Sequence, residues 1–316
     1  MKVLISLGKS FYETFPDLGS WLRREGIEVV EQTGYDQEPP RELMRELVKD
    51  VDVYVVGVDR IDREILEAAS ALKLIVKHGV GVDNIDLDCA KEKGIAVTFA
   101  RGCNAQSVAE LAIALMLSVC RGIPWQSTEV RQGAWNLYMG CELNKKTLGL
   151  IGYGNIGSRV AKIAKAFGME VIAFDPYIGK EALQEAGIRP GTMEEVLRQA
   201  DFVSLHAPAA KENRKLIDQK ALAYMKPTAY LINTARGELV DEEALQKALR
   251  EGKLQGAALD VFWREPPDAR LTGLAGTVCT PHLGACTIDS ARKLSEMSFE
   301  NIMNFKKHQP LKNRLV

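Results

Sequence analysis

A chain of 316 residues that is 46% hydrophobic is too long for one average domain and long enough to bury two cores. Its 41 basic and 42 acidic side chains leave a formal net charge of -1, so no bulk field draws it to nucleic acid or to an acidic membrane surface. The six cysteines form no CxxC and have no metal-ligand spacing with the four histidines, which argues against a metal site and for reduced, packed thiols in a cytoplasmic protein. Met1-Lys2 leads directly into an apolar strand with no signal-peptide pattern. The longest apolar stretch, residues 108–120, contains Glu110 and falls short of the ~20 residues that span a bilayer.

The first hundred residues alternate strand and helix. Apolar runs predict strands at 3–6, 27–31, 51–56, 72–76 and 95–99, with helices at 18–24, 42–49, 63–69 and 86–92. Pro39-Pro40 stands where a helix start tolerates proline, and Asp62 is placed to cap the helix after it. The alternation predicts an open α/β sheet. It contains no GxGxxG, so a dinucleotide is expected elsewhere. Residues 101–104 read as a crossing between domains, followed by a long apolar helix at 107–120 and a shorter one after Pro124.

The central stretch runs from Thr147 to Asp175. A short apolar strand at 148–151 meets Gly152-Tyr-Gly154-Asn-Ile-Gly157, then Val160, Ile163, Ala164 and Phe167 at helical spacing, then a second strand at 171–174 closing on Asp175. Gly152 allows the tight turn, Gly154 lets backbone approach a pyrophosphate, and Gly157 lets the helix pack close to the strand. The helix start presents free N–H groups to phosphates. Asp175 is placed to accept a ribose 2′-OH and to repel a 2′-phosphate, which selects NAD over NADP. Further strands are expected at 202–205, 230–232, 257–259 and 277–279, helices at 193–199 and 241–250, and a last helix at 290–307 that returns to the first domain.

Three segments stand at the C-terminal ends of these strands, where open α/β sheets bind ligands. They are Asn233-Thr234-Ala235-Arg236-Gly237, Asp260 to Pro266, and Thr280-Pro281-His282-Leu283-Gly284. Each brings a charged or titratable side chain to one rim: Arg236, Glu265 and His282. A guanidinium grips a carboxylate and polarises a carbonyl. A histidine exchanges a proton near neutral pH, and a carboxylate behind it orients it and raises its pKa. His206 reads as lining the cofactor side, with a satisfied core histidine as the alternative, His78 as loop filler or substrate contact, and His308 as surface. Glu110 reads as a partner of the domain crossing and Cys286 as a spectator.

With VGVDNID (80–86), NTARGELVDEEAL (233–245), ALDVFWREP (258–266) and TPHLGA (280–285), the chain resembles the D-2-hydroxyacid dehydrogenases, near their 3-phosphoglycerate dehydrogenase branch, over nearly its whole length. The resemblance implies two doubly wound parallel-sheet α/β domains. A Rossmann cofactor domain (102–287) would be inserted into a flavodoxin-like substrate domain (1–101 and 288–316). It implies Arg236, Glu265 and His282 as the catalytic three. It implies NAD contacts at Gly152, Gly154, Asn155, Ile156, Gly157, Asp175, Ala207, Pro208, Thr234, Asp260 and Gly284, and substrate contacts at Val80, Gly81, Lys77, Asn104 and Arg236. No metal is implied. The expected substrate is a small 2-hydroxy or 2-oxo acid, and the expected assembly a homodimer through the cofactor domain, for which the helix at 107–120 is apolar enough.

Two positions depart from the phosphoglycerate pattern. Gly57 stands where those enzymes place a phosphate-holding arginine, and Asn136-Leu137-Tyr138-Met139 where they carry basic residues. Arg60, Lys77 and Arg101 are the basic residues expected to serve instead. A glyoxylate or hydroxypyruvate reductase, a true 3-phosphoglycerate dehydrogenase and an NADH-sensing protein of the corepressor type all remain open.

Overall fold

The computed structural model describes all 316 residues, and the chain divides into two compact units. The first comprises Met1–Asn104 and Ala285–Val316, and the second Ala105–Gly284.

In the first unit, strands β1 (Lys2–Ser6), β2 (Glu28–Gln32), β3 (Val53–Val56), β4 (Leu74–Lys77) and β5 (Ala96–Phe99) form a wholly parallel sheet in the order β2-β1-β3-β4-β5. The order reverses between β1 and β3, as in flavodoxin-like sheets. Strands buried on both faces read as unbroken apolar runs, which is why Val53–Val56 carries no alternation. One face packs Leu4, Tyr54, Val56 and Ile75 on Ile65, Leu66 and Cys89. The other packs Val3, Ile5, Val53 and Leu74 on Leu18, Leu22, Ile302 and Met303. Ile302 and Met303 belong to the last helix, Ile288–Lys306, so the returning segment supplies part of that core. Asp62 and Asp86 cap their helices by accepting from Ile65 N–H and Cys89 N–H.

In the second unit, β6 (Thr147–Ile151), β7 (Glu170–Phe174), β8 (Arg189–Pro190), β9 (Phe202–Leu205), β10 (Tyr230–Asn233), β11 (Gly256–Leu259) and β12 (Thr277–Cys279) are also all parallel, in the order β12-β11-β10-β9-β6-β7-β8. This is the Rossmann order extended by one strand, with its reversal between β6 and β9. The helix Ala105–Arg121 buries Ala109, Ala112, Met116 and Val119 against this sheet beside Val160 and Ala164 of the helix Gly157–Ala166. No single helix is long and apolar enough to cross a membrane. The expected α/β class and both sheets are present.

Several short elements lie outside the sequence expectation: the helices Lys9–Thr14, Lys180–Glu185, Gln219–Tyr224 and Ala269–Thr272, and the two-residue strand β8. None is longer than six residues. That is under two helical turns, too short for a 3.6-residue period to show.

Candidate active site

The reversal point of the second sheet carries the glycine loop. Gly152 follows β6 with φ +96°, and a Cβ there would meet the His206 carbonyl carbon and oxygen at 2.7 Å. A Cβ on Gly157 would meet the Gly152 oxygen at 2.3 Å. Packing therefore excludes a side chain at both positions. Gly154 differs: a Cβ there would meet no protein atom within 4 Å, so the protein's own packing does not require that glycine. Asn155 and Ile156 complete the turn into the helix, with the Asn155 carbonyl accepting from Arg159 Nη1 at 2.6 Å. Asp175, just past β7, faces the same loop. Its two oxygens accept Tyr153 N–H and Tyr177 N–H, each at 2.8 Å.

Ala207 and Pro208 follow β9, with the Pro208 carbonyl held by Asn213 Nδ2 at 2.7 Å. His206 bonds the Ser204 hydroxyl through Nε2 at 2.9 Å, while its Nδ1 is buried without a partner. Burial lowers its pKa to about 3, so it is neutral at pH 7. Thr234, after β10, is buried, and its hydroxyl also lacks a partner.

Arg236, Glu265 and His282 line one hollow of about 280 Å³ together with Gly237, Phe262 and Trp263. Nδ1 of His282 lies 2.9 and 3.2 Å from the two Glu265 oxygens. The hydrogen bond to Glu265 raises the pKa of His282 above its ordinary value, with burial opposing. Burial pushes Glu265 up, but the bond and charge of His282 outweigh it and leave this carboxyl below its ordinary value. Asn233 shapes the Arg236 turn: its Oδ1 accepts Ala235 N–H at 3.0 Å and its Nδ2 donates to the Arg236 carbonyl at 2.8 Å.

Asp260 is the support that sequence reasoning missed. Its carboxylate is 1% exposed and accepts the Thr280 hydroxyl at 2.6 Å, Leu283 N–H at 2.7 Å and Gly284 N–H at 2.9 Å. Its main-chain carbonyl takes His282 N–H at 2.9 Å. These four bonds hold His282 at φ +55°, a left-handed conformation that costs a non-glycine residue. Both of its carboxylate oxygens build the histidine turn, a role separate from the cofactor contact that the family resemblance assigns to Asp260. The Gly284 carbonyl is fixed in turn by the Ser107 hydroxyl at 2.7 Å.

The expected substrate contacts Val80, Gly81, Lys77 and Asn104 belong to the first unit. Val80 and Gly81 are half-buried in the loop after β4. The Lys77 ammonium is bonded to the Gly57 carbonyl and, at 2.9 Å, to Asn84 Oδ1. Asn104 buries an Oδ1 with no partner. His78 is buried, bonded to the Ser295 hydroxyl at 3.1 Å and edge-on to Phe11, which gives it a place in the core. Arg60 is 70% exposed, with Asp62 at 3.8 Å, and Arg101 is exposed.

A glycine loop and acid on one Rossmann sheet, with arginine, glutamate and histidine at neighbouring strand ends, define a dinucleotide-binding fold with acid–base groups at its ligand edge. Residues 113–284 match the family model described as "D-isomer specific 2-hydroxyacid dehydrogenase, NAD binding domain". The chain is 42% identical over 289 residues to a D-3-phosphoglycerate dehydrogenase of Methanocaldococcus jannaschii, covering 89% of this chain and 55% of that one. It is 41% identical over 280 residues to a glyoxylate reductase of Thermococcus litoralis, covering 85% of each. A D-lactate dehydrogenase from Aquifex aeolicus, solved with NAD and lactic acid, superposes with a TM-score of 0.84 at 32% identity, covering 97% of this chain and 96% of that one. The chain belongs to the D-2-hydroxyacid dehydrogenase family, and its Rossmann unit carries that family's NAD-binding domain. It spans only about half the length of the phosphoglycerate dehydrogenase relative.

Proposed function

We propose that the protein is an NAD-dependent D-2-hydroxyacid dehydrogenase that reduces small unphosphorylated 2-oxo acids, glyoxylate or hydroxypyruvate among them, and oxidises the matching 2-hydroxy acids. The observation that carries this is the Arg236–Glu265–His282 constellation on one hollow of about 280 Å³. The fit of a dinucleotide is supported by Gly154, whose missing side chain serves no packing need, and by Asp175 facing the same loop. Gly152, Asn155, Ile156, Gly157, Ala207, Pro208, Thr234, Asp260 and Gly284 complete the proposed cofactor contacts, and the orphaned Thr234 hydroxyl supplies an unused donor there.

NADH held by these residues would supply the hydride for C2 of the acid. Protonated His282 gives the proton from Nε2 to the oxygen on C2, because its Nδ1 is taken by Glu265. Glu265 holds the ring in that orientation and favours its charged form. Arg236 attracts the substrate carboxylate and the charge developing on the oxygen. Val80, Gly81 and Asn104 remain the proposed contacts for that carboxylate, the first two through their backbone. In the oxidative direction His282 is neutral and takes the hydroxyl proton.

A homodimer fits the exposure of Trp135, Leu137 and Met139, which are 84%, 87% and 89% accessible along one short segment. Large apolar side chains at this exposure mark a surface for a partner, here a second copy. The cysteine composition makes the cytoplasm the expected location.

The deciding experiment follows NADH oxidation against a panel of 2-oxo acids, with NADH binding measured separately. Tight NADH binding without turnover of any acid would replace the enzyme with a dinucleotide sensor.

A further inference from the structure

The loop after β4, residues 78–83, carries Val80 and Gly81, and it must be held in shape if its N–H groups are to receive a carboxylate. Backbone bonds tie it at three points: His78 N–H to the Val56 carbonyl at 2.9 Å, Ala100 N–H to the Gly79 carbonyl at 2.9 Å, and Ile85 N–H to the Val82 carbonyl at 3.0 Å. Two side chains add to this hold. Lys77, the last residue of β4, is 9% exposed and sends its ammonium to Asn84 Oδ1 at 2.9 Å and to the Gly57 carbonyl. Asn84 Nδ2 donates to the Asp59 carbonyl at 2.6 Å and to the Gly57 carbonyl at 3.2 Å. The Asn84 carbonyl accepts Ile61 N–H at 2.7 Å.

Resting on the assignment of the substrate carboxylate to Val80 and Gly81, we propose that Lys77 and Asn84 are positioning residues for that carboxylate. Their side-chain bond closes the base of the 78–83 loop, and their common hold on Gly57 locks the loop to the segment following β3. Three features favour this over plain packing. The bond joins the two residues that flank the loop, so it shortens the free segment to the six residues between them. Both side chains converge on one carbonyl, Gly57, so neither can move alone. A buried ammonium is costly to place, and a core spacer would use an apolar side chain instead. A loop held this way presents its N–H groups already aimed, so the ordering cost is not met at each binding event. Lys77, expected from sequence to touch the substrate, acts in this arrangement through the loop.

The test uses the full chain with Asn84→Ala, Asn84→Asp, Lys77→Met and the double Asn84→Ala/Lys77→Met. Steady-state kinetics with glyoxylate at saturating NADH, NADH binding, pH profiles and amide hydrogen exchange of residues 79–83 are measured on each. Asn84→Ala and Lys77→Met are expected to raise KM for glyoxylate tenfold or more, with kcat within about threefold and NADH affinity and pH profile unchanged. Exchange of the 79–83 amides should quicken about tenfold while β4 stays protected, and the double variant should be no worse than the worse single. Asn84→Asp keeps the acceptor for Lys77 and loses the donors to Gly57 and Asp59. It should fall between, and it decides the matter if Asn84→Ala does not fold. KM and loop exchange within twofold of wild type, or effects that multiply in the double variant, would overturn the positioning role. A wild type that turns over no 2-oxo acid defeats the enzyme assignment instead, and loop exchange still decides whether the pair holds the loop.

Discussion

His282 and Glu265, 17 residues apart in sequence, meet with Nδ1 2.9 Å from a carboxylate oxygen, and each moves the other's pKa toward the charged pair. The raised histidine contributes stability that is complete below the unfolded pKa of ~6.5 and is lost as pH rises through the higher folded value. The lowered glutamate contributes stability present above its unfolded pKa of ~4.3 and lost as pH falls through the lower folded value. Both groups are charged together between those limits.

For the chemistry, reduction should weaken as pH rises through the His282 pKa, and oxidation should weaken as pH falls through it. Glu265→Gln should move both limbs toward lower pH. His282→Ala should lower kcat by roughly 10²–10⁴, the usual worth of a positioned general acid–base. Rate profiles over pH 5–10 check this, and limbs that stay in place in Glu265→Gln would break the link between the two residues.

NADH should be preferred to NADPH by about tenfold or more in kcat/KM. Asp175 would face the added phosphate, and no Lys or Arg stands in Pro176-Tyr177-Ile178 to receive it. Tenfold corresponds to about 1.4 kcal/mol, less than one charge-assisted hydrogen bond. Asp175→Ala should narrow the gap. Equal kcat/KM values for the wild type would remove Asp175 from cofactor choice.

Asp260→Ala leaves three donors without their acceptor, the buried Gly284 N–H and the part-buried Thr280 Oγ1 and Leu283 N–H. Each unsatisfied group costs about 1–3 kcal/mol, so the variant should unfold at a visibly lower temperature. It should also lose kcat, because the left-handed His282 turn is no longer held. Calorimetry beside kinetics separates the two effects. An unchanged Tm would show that water replaces the carboxylate.

At the substrate's far end, unphosphorylated 2-oxo acids should be used at least as well as phosphohydroxypyruvate. Gly57 and Asn136-Leu137-Tyr138-Met139 supply no positive charge, and the Lys77 ammonium bonds Gly57 and Asn84. The check is kcat/KM for each acid at fixed ionic strength. A tenfold advantage for the phosphorylated acid, abolished by Arg60→Ala or Arg101→Ala, would reverse the expectation and identify the phosphate's partner.

The long elements were legible because burial leaves a strong mark. Parallel strands such as Val53–Val56 are apolar on both faces, and the glycine loop states its own turn. Arg236, Glu265 and His282 could be picked out as chemical types at strand ends. What joins them could not, because it depends on contacts made only in three dimensions. Asp260 reads in sequence as one more acid near a ligand edge, yet it builds the turn under His282. His78 sits beside a suggestive loop and is packed against Phe11 and Ser295. Lys77 and Asn84 lie seven residues apart with nothing in the spacing to say that both bond the Gly57 carbonyl.

The first unit is made from the two ends of the chain, and this bears on how the protein is born. On a ribosome, residues 1–104 emerge long before the helix Ile288–Lys306, so Val3, Ile5, Val53 and Leu74 wait for Ile302 and Met303 to cover their face of the sheet. The second unit is contiguous, so it can finish folding while the first is still open. For the length of its synthesis the nascent protein shows an uncovered apolar sheet, the kind of surface that chaperones engage. A ribosome-bound chain halted before residue 288 should remain protease-sensitive in its first hundred residues while residues 105–284 already resist.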